Sequence, residues 1–296
     1  MSYSLFIGDY TYSSWSLRGW LLLERFGIPF ASRTVDFARS GVKEQLAALA
    51  PARTVPTLEL APGETVWDSL AMAEELASRH PDAGIWPETP QLRALARTLA
   101  AEMHSGFGAL REACPMNLRC AYADVAVPEA VAGDLRRIET LWAHALERSG
   151  GPWLCGGYSA ADAFFAPVAA RIAGYGLAVS TAAQGYVAAH LADPAFRRWR
   201  AMGLVSGDTL PWYARDHRQV DWPGPSPRPA RALEGPAAAG RVAGNAACPY
   251  SGGPARYLME MDGRVYGFCN GFCRDKTVAD PEVWPAFMAL VAGARG

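Results

Sequence analysis

Three groups of residues in this 296-residue chain have the types and spacing to do chemistry. The first is the turn Thr11-Tyr12-Ser13-Ser14-Trp15-Ser16-Leu17-Arg18. An apolar run, Tyr3 to Ile7, leads into it and stops at Gly8-Asp9. Behind it Leu17, Trp20, Leu21 and Leu23 recur at helical spacing, the run Gly19 to Phe26 continues the pattern, and Gly27-Ile28-Pro29 supplies the stop. Strand, hydroxyl-rich turn and helix start together leave backbone N–H groups unpaired, where free donors and the helix dipole favour negative charge. A serine hydroxyl placed there can donate to a thiolate and lower the pKa of its thiol. Helix capping by Ser13 or Ser14 is the alternative role for the same residues.

The second group is Cys248, Cys269 and Cys273, spaced C-x20-C-x3-C. Soft thiolates at such a spacing suit zinc or cuprous copper. Buried core thiols, or a redox pair at 269 and 273 one helical turn apart, fit the same spacing. The third group is polar: His104 and Arg111 lie seven residues apart, two turns along one predicted helix face, with Asn117 and Arg119 following Cys114-Pro115-Met116. These four either touch substrate or pair between helices and with solvent.

The elements that must position these groups are legible in the patterning. Val55 to Leu60 reads as a strand opened by Pro56, and Val66-Trp67-Asp68-Ser69 leads into a helix from Leu70 to Arg79. Leu92, Leu95, Leu99, Met103, Phe107 and Leu110 form one stripe of a long predicted helix. A second helix spans Glu129 to Ser149, and Ser159 with Asp162 forms a capping box ahead of an apolar helix from Ala160 to Ala173. Pro194 to Ala201 reads as the last bundle helix. From Asp221 to about Gly244 the composition turns to Pro, Ala, Gly and Arg, which suits an extended linker. Tyr257 to Met261 and Val265 to Phe268 then predict a hairpin turning at Asp262-Gly263, with a short helix after Cys269 and an apolar one over Trp284 to Val291.

The ordered set from the serine turn through Val55-Pro56 and Asp68-Ser69 to the capping box resembles the glutathione S-transferases over about residues 3 to 215. That resemblance implies an α/β thioredoxin-like N-terminal domain at 1–80 and an all-α helical substrate domain at 89–216. A Pro/Ala/Gly-rich linker at 217–247 and a small α+β cysteine module at 248–296 would follow. It implies a cis bond before Pro56, pairing of the Val55 backbone with the cysteinyl unit of glutathione, and binding of the γ-glutamyl end by Asp68 and Ser69. The serine turn falls where serine-type members hold the activating hydroxyl, so Ser14 or Ser13 takes that role. Zeta-type members carry a cysteine where this chain has Trp15, which then lies against glutathione; relatives place Lys or Gln where this chain has Thr54, leaving Arg53 to meet the glycine carboxylate. Met103-His104-Ser105-Gly106-Phe107 followed by Cys114 to Arg119 resembles a stretch in one bacterial branch of these transferases, where the long helix lines the cleft, which implies His104, Arg111, Asn117 and Arg119 as substrate residues. The implied reaction is attack of the glutathione thiolate on a small electrophile. A glutathione-dependent isomerase and a non-catalytic glutathione- or metal-binding protein are the alternatives.

The cysteine group resembles the YHS and TRASH metal-binding knuckles, with Asp262, Asp275 or a water as the fourth ligand. Composition bounds the rest. Half of the residues are apolar and 19% charged, with a net charge of −1, so electrostatics gives no case for nucleic acid or an anionic membrane as partner. The first strand begins almost at Met1, no apolar run approaches a membrane span, and six cysteines without a secretory signal point to reduced thiols or a metal. The expected form is a cytoplasmic homodimer.

Overall fold

The computed structural model describes residues 3–37 and 39–293. Its elements fall into two compact units, one running to Asp193 and resuming at Thr209–Pro223, the other made of Pro194–Asp208 and the chain from Gly224 onward.

The first unit begins with β1 (Tyr3–Ile7), α1 (Ser14–Glu24), β2 (Phe30–Thr34), α2 (Val42–Gln45), β3 (Thr57–Ala61), β4 (Glu64–Trp67) and α3 (Ser69–Arg79). The strands form one sheet in the order β2-β1-β3-β4, with β1 parallel to β2 and both other pairings antiparallel. This is the thioredoxin-like arrangement that the resemblance implies. β1 and β3 alternate buried with partly exposed residues, while α1 buries eight consecutive residues from Ser16 to Leu23. The Val55–Pro56 bond is cis. Gly19 permits the helix to approach that proline: a Cβ at Gly19 would stand 2.9 Å from two ring carbons of Pro56. The close approach fixes the serine turn against the bend that carries Val55, since β3 begins only at Thr57 and not at Val55 as the pattern suggests.

The helical part follows as α4 (Pro90–Ser105), α5 (Gly108–Ala113), β5 (Ala121–Ala123), α6 (Glu129–Ser149), α7 (Ala160–Gly174) and α8 (Thr181–Ala192). The stripe from Leu92 to Leu110 is not one helix. Gly106 is extended and Phe107 has φ +60°, so the chain breaks between α4 and α5, and His104 and Arg111 sit on different helices. α7 is buried along nearly its whole length and packs against α1, α4 and α8. Its capping box is formed as expected. Asp162 accepts from Ser159 N at 2.9 Å, Leu154 N at 3.0 Å and Tyr186 Oη at 2.8 Å. Next to it, the His190 ring meets the edges of Trp153, Tyr158 and Tyr186.

The second unit takes α9 (Pro194–Val205) together with β7 (Arg231–Leu233), β8 (Tyr257–Met261), β9 (Arg264–Phe268), α10 (Gly271–Ala279) and α11 (Pro285–Gly293); β6 (Arg218–Val220) belongs to the first unit, where it pairs with β5. Within 217–247, read from composition as a linker, β6 and β7 are thus paired strands. β7-β8-β9 form an antiparallel sheet, and β8 and β9 make the hairpin turning at Asp262-Gly263. Phe268 and Phe287 are fully buried, with Tyr266 stacked edge-on to Phe287 at 5.1 Å. α9 packs along α10, and Arg197 forms a two-pronged ion pair with Asp280, both contacts at 2.8 Å. Among the described residues no helix is long and apolar enough to cross a membrane.

Candidate functional site

Ser13 and Ser14 are adjacent, and the fold gives them different work. Ser13 is the N-cap of α1: its Oγ accepts from Ser16 N at 3.3 Å and its hydroxyl donates to Ser16 Oγ at 2.8 Å. Ser16 Oγ in turn accepts from Gly8 N at 2.9 Å, so this network is closed and buried. Ser14, the first residue of the helix, instead has its Oγ accepting from Arg171 Nη2 at 3.2 Å. A hydroxyl whose oxygen is occupied by a guanidinium donor keeps its own proton to give away.

Ser14 borders an open cleft of about 280 Å³, lined also by Tyr12, Trp15, Phe37, Val55, Pro115, Met116 and Tyr213, with the guanidinium residues Arg111 and Arg171. No Asp or Glu is among the described lining residues. Arg171 is buried on α7 and donates to Cys114 O as well as to Ser14; burial first, then Arg111, pulls its pKa down to about 10, so it stays charged at neutral pH. Arg18 and Arg111 each place a guanidinium carbon 4.6 Å from the Trp15 ring centroid. Burial lowers the pKa of both, and Arg111 and Arg171 add to that effect on Arg18. The Nε and Nη1 of Arg18 and the Nε of Arg111 are buried without a hydrogen-bond partner among the described residues. The site is therefore strongly electropositive, and an anion placed there would relieve the mutual repulsion of its cations.

Asp68 caps α3 from a φ of +87°, accepting from Leu70 N at 2.8 Å and Ala71 N at 3.4 Å through Oδ1. Its Oδ2 lies 3.0 Å from His104 Nε2. Burial pulls the His104 pKa down, with Arg18 and Arg111 acting the same way against the Asp68 carboxylate. Ser69 is 1% exposed at the first position of the helix, and its Oγ has no partner among the described residues. An orphaned hydroxyl at a helix N-terminus is suited to receive a carboxylate.

The predicted residues thus divide. Ser14, Ser13, Trp15, Val55 and Arg111 converge on the cleft, and Pro56, Asp68, Ser69 and His104 stand behind it or beside it. Arg53 is exposed and is not a lining residue. Arg111 also donates to the backbone of Met103 and His104 and so ties the broken helix together. Asn117 Oδ1 accepts from Arg119 N at 3.0 Å, and Arg119 lies 5.9 Å from the Tyr12 ring centroid, so both sit outside the lining. Arg171 was not anticipated, although the one basic residue inside the apolar run 160–173 is a sequence signal. Tyr213, stacked on Tyr12 at 4.7 Å, gave no such signal.

In the second unit the three cysteine sulfurs lie within 4.8 Å of one another. Cys269 and Cys273 are 3.8 Å apart, close to the roughly 3.8–4.0 Å expected of two ligands each 2.3 Å from one ion. Burial raises the Cys248 pKa, but backbone N–H groups of Cys269, Tyr250 and Ser251 outweigh it and bring the thiol down to about 6. Burial and the neighbouring Cys269 push Cys273 up to about 12. The two carboxylates considered as fourth ligands are engaged elsewhere, Asp262 with Arg228 and Asp275 with Arg274, and neither belongs to the cysteine group.

Comparison with known proteins finds similarity to glutathione transferases. A family model described as the glutathione S-transferase N-terminal domain matches residues 12–79. A probable maleylacetoacetate isomerase of Caenorhabditis elegans is 34% identical over 94 residues, which is 32% of this chain and 42% of that protein, so the chain matches under half the length of this curated relative. A glutathione transferase homologue from Burkholderia gl BGR1, solved with bound glutathione, superposes with a TM-score of 0.53 at 25% identity, covering 67% of this chain and 96% of its own. Glutathione transferase Omega 3C from Trametes versicolor gives a TM-score of 0.54 at 19% identity, with 72% and 92% covered.

Proposed function

From a chain with the fold of glutathione transferases, whose residues 12–79 match the glutathione S-transferase N-terminal domain, we propose an enzyme that ionises the glutathione thiol and directs it at a small electrophile. Ser14 donates the hydrogen bond that stabilises the thiolate. Arg171 holds the Ser14 oxygen and adds positive charge, which favours the ionised sulfur. Val55 offers its backbone to the peptide, Ser69 and the α3 N-terminus receive the γ-glutamyl carboxylate, and Asp68 faces the amino group. Arg53 remains our assignment for the glycine carboxylate. The glutathione end belongs to 1–80 and the electrophile end to 89–216, with Arg111 and His104 nearer the chemistry than Asn117 and Arg119. The working form is a cytoplasmic homodimer, checked by sedimentation.

The observation that carries this reading is the pairing of Ser14 Oγ with Arg171 Nη2 at the edge of the cleft. Ser14→Ala should lower kcat/KM for thiol conjugation by about 10²-fold, the usual effect of removing one positioned donor. The pH at which bound glutathione ionises, read from thiolate absorbance, should rise in parallel. An unchanged ionisation pH together with full activity would remove Ser14 from the reaction.

A second reading, isomerisation, is favoured by the relative named probable maleylacetoacetate isomerase and by the two guanidiniums in a cleft with no Asp or Glu among its described lining residues. The thiolate would add to a conjugated double bond, allow rotation about the resulting single bond, and leave again as thiolate. Recovery of glutathione unchanged after turnover distinguishes it from conjugation. Independently, we propose that Cys248, Cys269 and Cys273 bind zinc or copper, as three sulfurs this close support.

A further inference from the structure

The surroundings of the three thiols say which kind of ion they suit. Cys269 Sγ accepts from Ser251 Oγ at 3.1 Å and from Asn270 Nδ2 at 3.4 Å. Backbone N–H groups of Cys269, Tyr250 and Ser251 surround Cys248, and the charge of Lys276 acts on Cys273. Each of these donors stabilises negative charge left on sulfur after an ion has bound. Three thiolates keep a net charge of 2− around a monovalent ion and 1− around a divalent one. A structural zinc site is closed by a fourth protein ligand, and none of the described His, Cys, Asp or Glu residues joins the three here. Cuprous copper is matched by soft sulfur ligands alone.

The thiols are also held in place by contacts that involve no ion. Asn270 caps α10 by accepting from Cys273 N at 2.8 Å, and Tyr250 bonds Thr277 at 2.5 Å on the same helix. The Phe268 and Phe287 rings stand 5.9 Å apart in a buried core, and α9 is tied to the segment after α10 by Arg197–Asp280 and by Arg198 Nη1 donating to Val283 O at 2.8 Å. Structural zinc sites instead couple ion binding to folding.

Resting on the metal reading above, we infer that Cys248, Cys269 and Cys273 form a preformed three-sulfur site for cuprous copper, which enters and leaves without unfolding the unit. Binding displaces the remaining thiol protons to solvent. Cys269 is the least buried of the three, and the exposed Ser251 and Asn270 beside it mark the side from which the ion is exchanged.

The test uses the full chain, reduced and chelator-stripped, then loaded anaerobically with cuprous ion or with zinc. The expected result is one copper per chain, with X-ray absorption reporting three sulfur neighbours and no nitrogen or oxygen. Hydrogen exchange through β8, β9 and α10 should already be strongly protected in the stripped protein, with copper adding to that protection through its binding free energy alone. Cys269→Ser should abolish copper retention, and Ser251→Ala, which keeps every thiol, should weaken it about tenfold by removing one donor to a charged sulfur. Preferential retention of zinc with a nitrogen or oxygen neighbour, or exchange of β8, β9 and α10 at unfolded rates in the stripped protein, would overturn the open cuprous site and leave metal binding standing. Failure of the intact thiols to retain either ion would overturn both.

Discussion

Ser13 and Ser14 show how neighbouring identical residues acquire different work. Their order in the turn gives no way to rank them; the partner on α7, 157 residues away, does. The contrast to Ser14→Ala is that Ser13→Ala should cost about 1 kcal/mol of stability through loss of the α1 cap, with the smaller effect on turnover. Thermal unfolding and steady-state kinetics on both variants read the two effects separately. His190 supports a prediction in pH. It is fully buried among aromatic rings, and burial, with Arg25 adding to it, brings its pKa down to about 3. Unfolded histidine titrates near 6.5, so the unfolded chain binds the extra proton first as pH falls. The contribution is complete above about pH 6.5 and is lost progressively toward pH 3, with roughly 2 kcal/mol of it gone by pH 5. Asp162 acts in the opposite sense: burial raises it to about 6, and its contribution shrinks as pH rises from 3.8 to 6. That effect is common to wild type and His190→Phe, so the difference between their unfolding free energies should narrow in favour of the variant below pH 6. A constant difference from pH 7 to pH 5 would mean that His190 takes up its proton in the folded state.

At the scale of elements, α3 carries two duties at its N-terminus, because Asp68 both caps it and faces His104. Asp68→Asn retains a good cap and tolerates the positive φ, so helix stability should stay within about 0.5 kcal/mol. Glutathione affinity should fall about tenfold through loss of the charge. Titration calorimetry showing unchanged affinity would confine the carboxylate to holding His104. Most elements were legible because period and punctuation agreed: α6, the β8–β9 hairpin and the α7 capping box lie where the pattern puts them. β2 was not, since four of its five residues are exposed and an edge strand without alternation leaves no periodic trace. The α4–α5 break was missed because the apolar spacing runs through Gly106-Phe107 without interruption, whereas the φ of Phe107 is a tertiary outcome.

At the scale of the whole molecule, composition drew the chain as consecutive segments, with the last bundle helix grouped among its predecessors. Contacts group it otherwise, for α9 lies with α10 in the second unit. Proline and arginine content read 217–247 as an extended linker and could not reveal that 218–220 pair with β5 and 231–233 with β8. Ending the chain after Pro223 should therefore do more than trim a tail. α9 loses Asp280 and Val283 O as partners, and its amides should exchange faster while the sheet β2-β1-β3-β4 keeps its protection. Unchanged exchange in α9 would locate its stability elsewhere. The discontinuity also has a timetable. A ribosome delivers the chain at roughly 5–20 residues per second, so α9 emerges several seconds before α10 has been made. During that interval α8 and the returning segment 209–223 can settle with the first unit, while the helix between them waits for a partner encoded some seventy residues downstream. Synonymous codons that slow or hasten translation of that stretch would lengthen or shorten the wait without altering a single side chain.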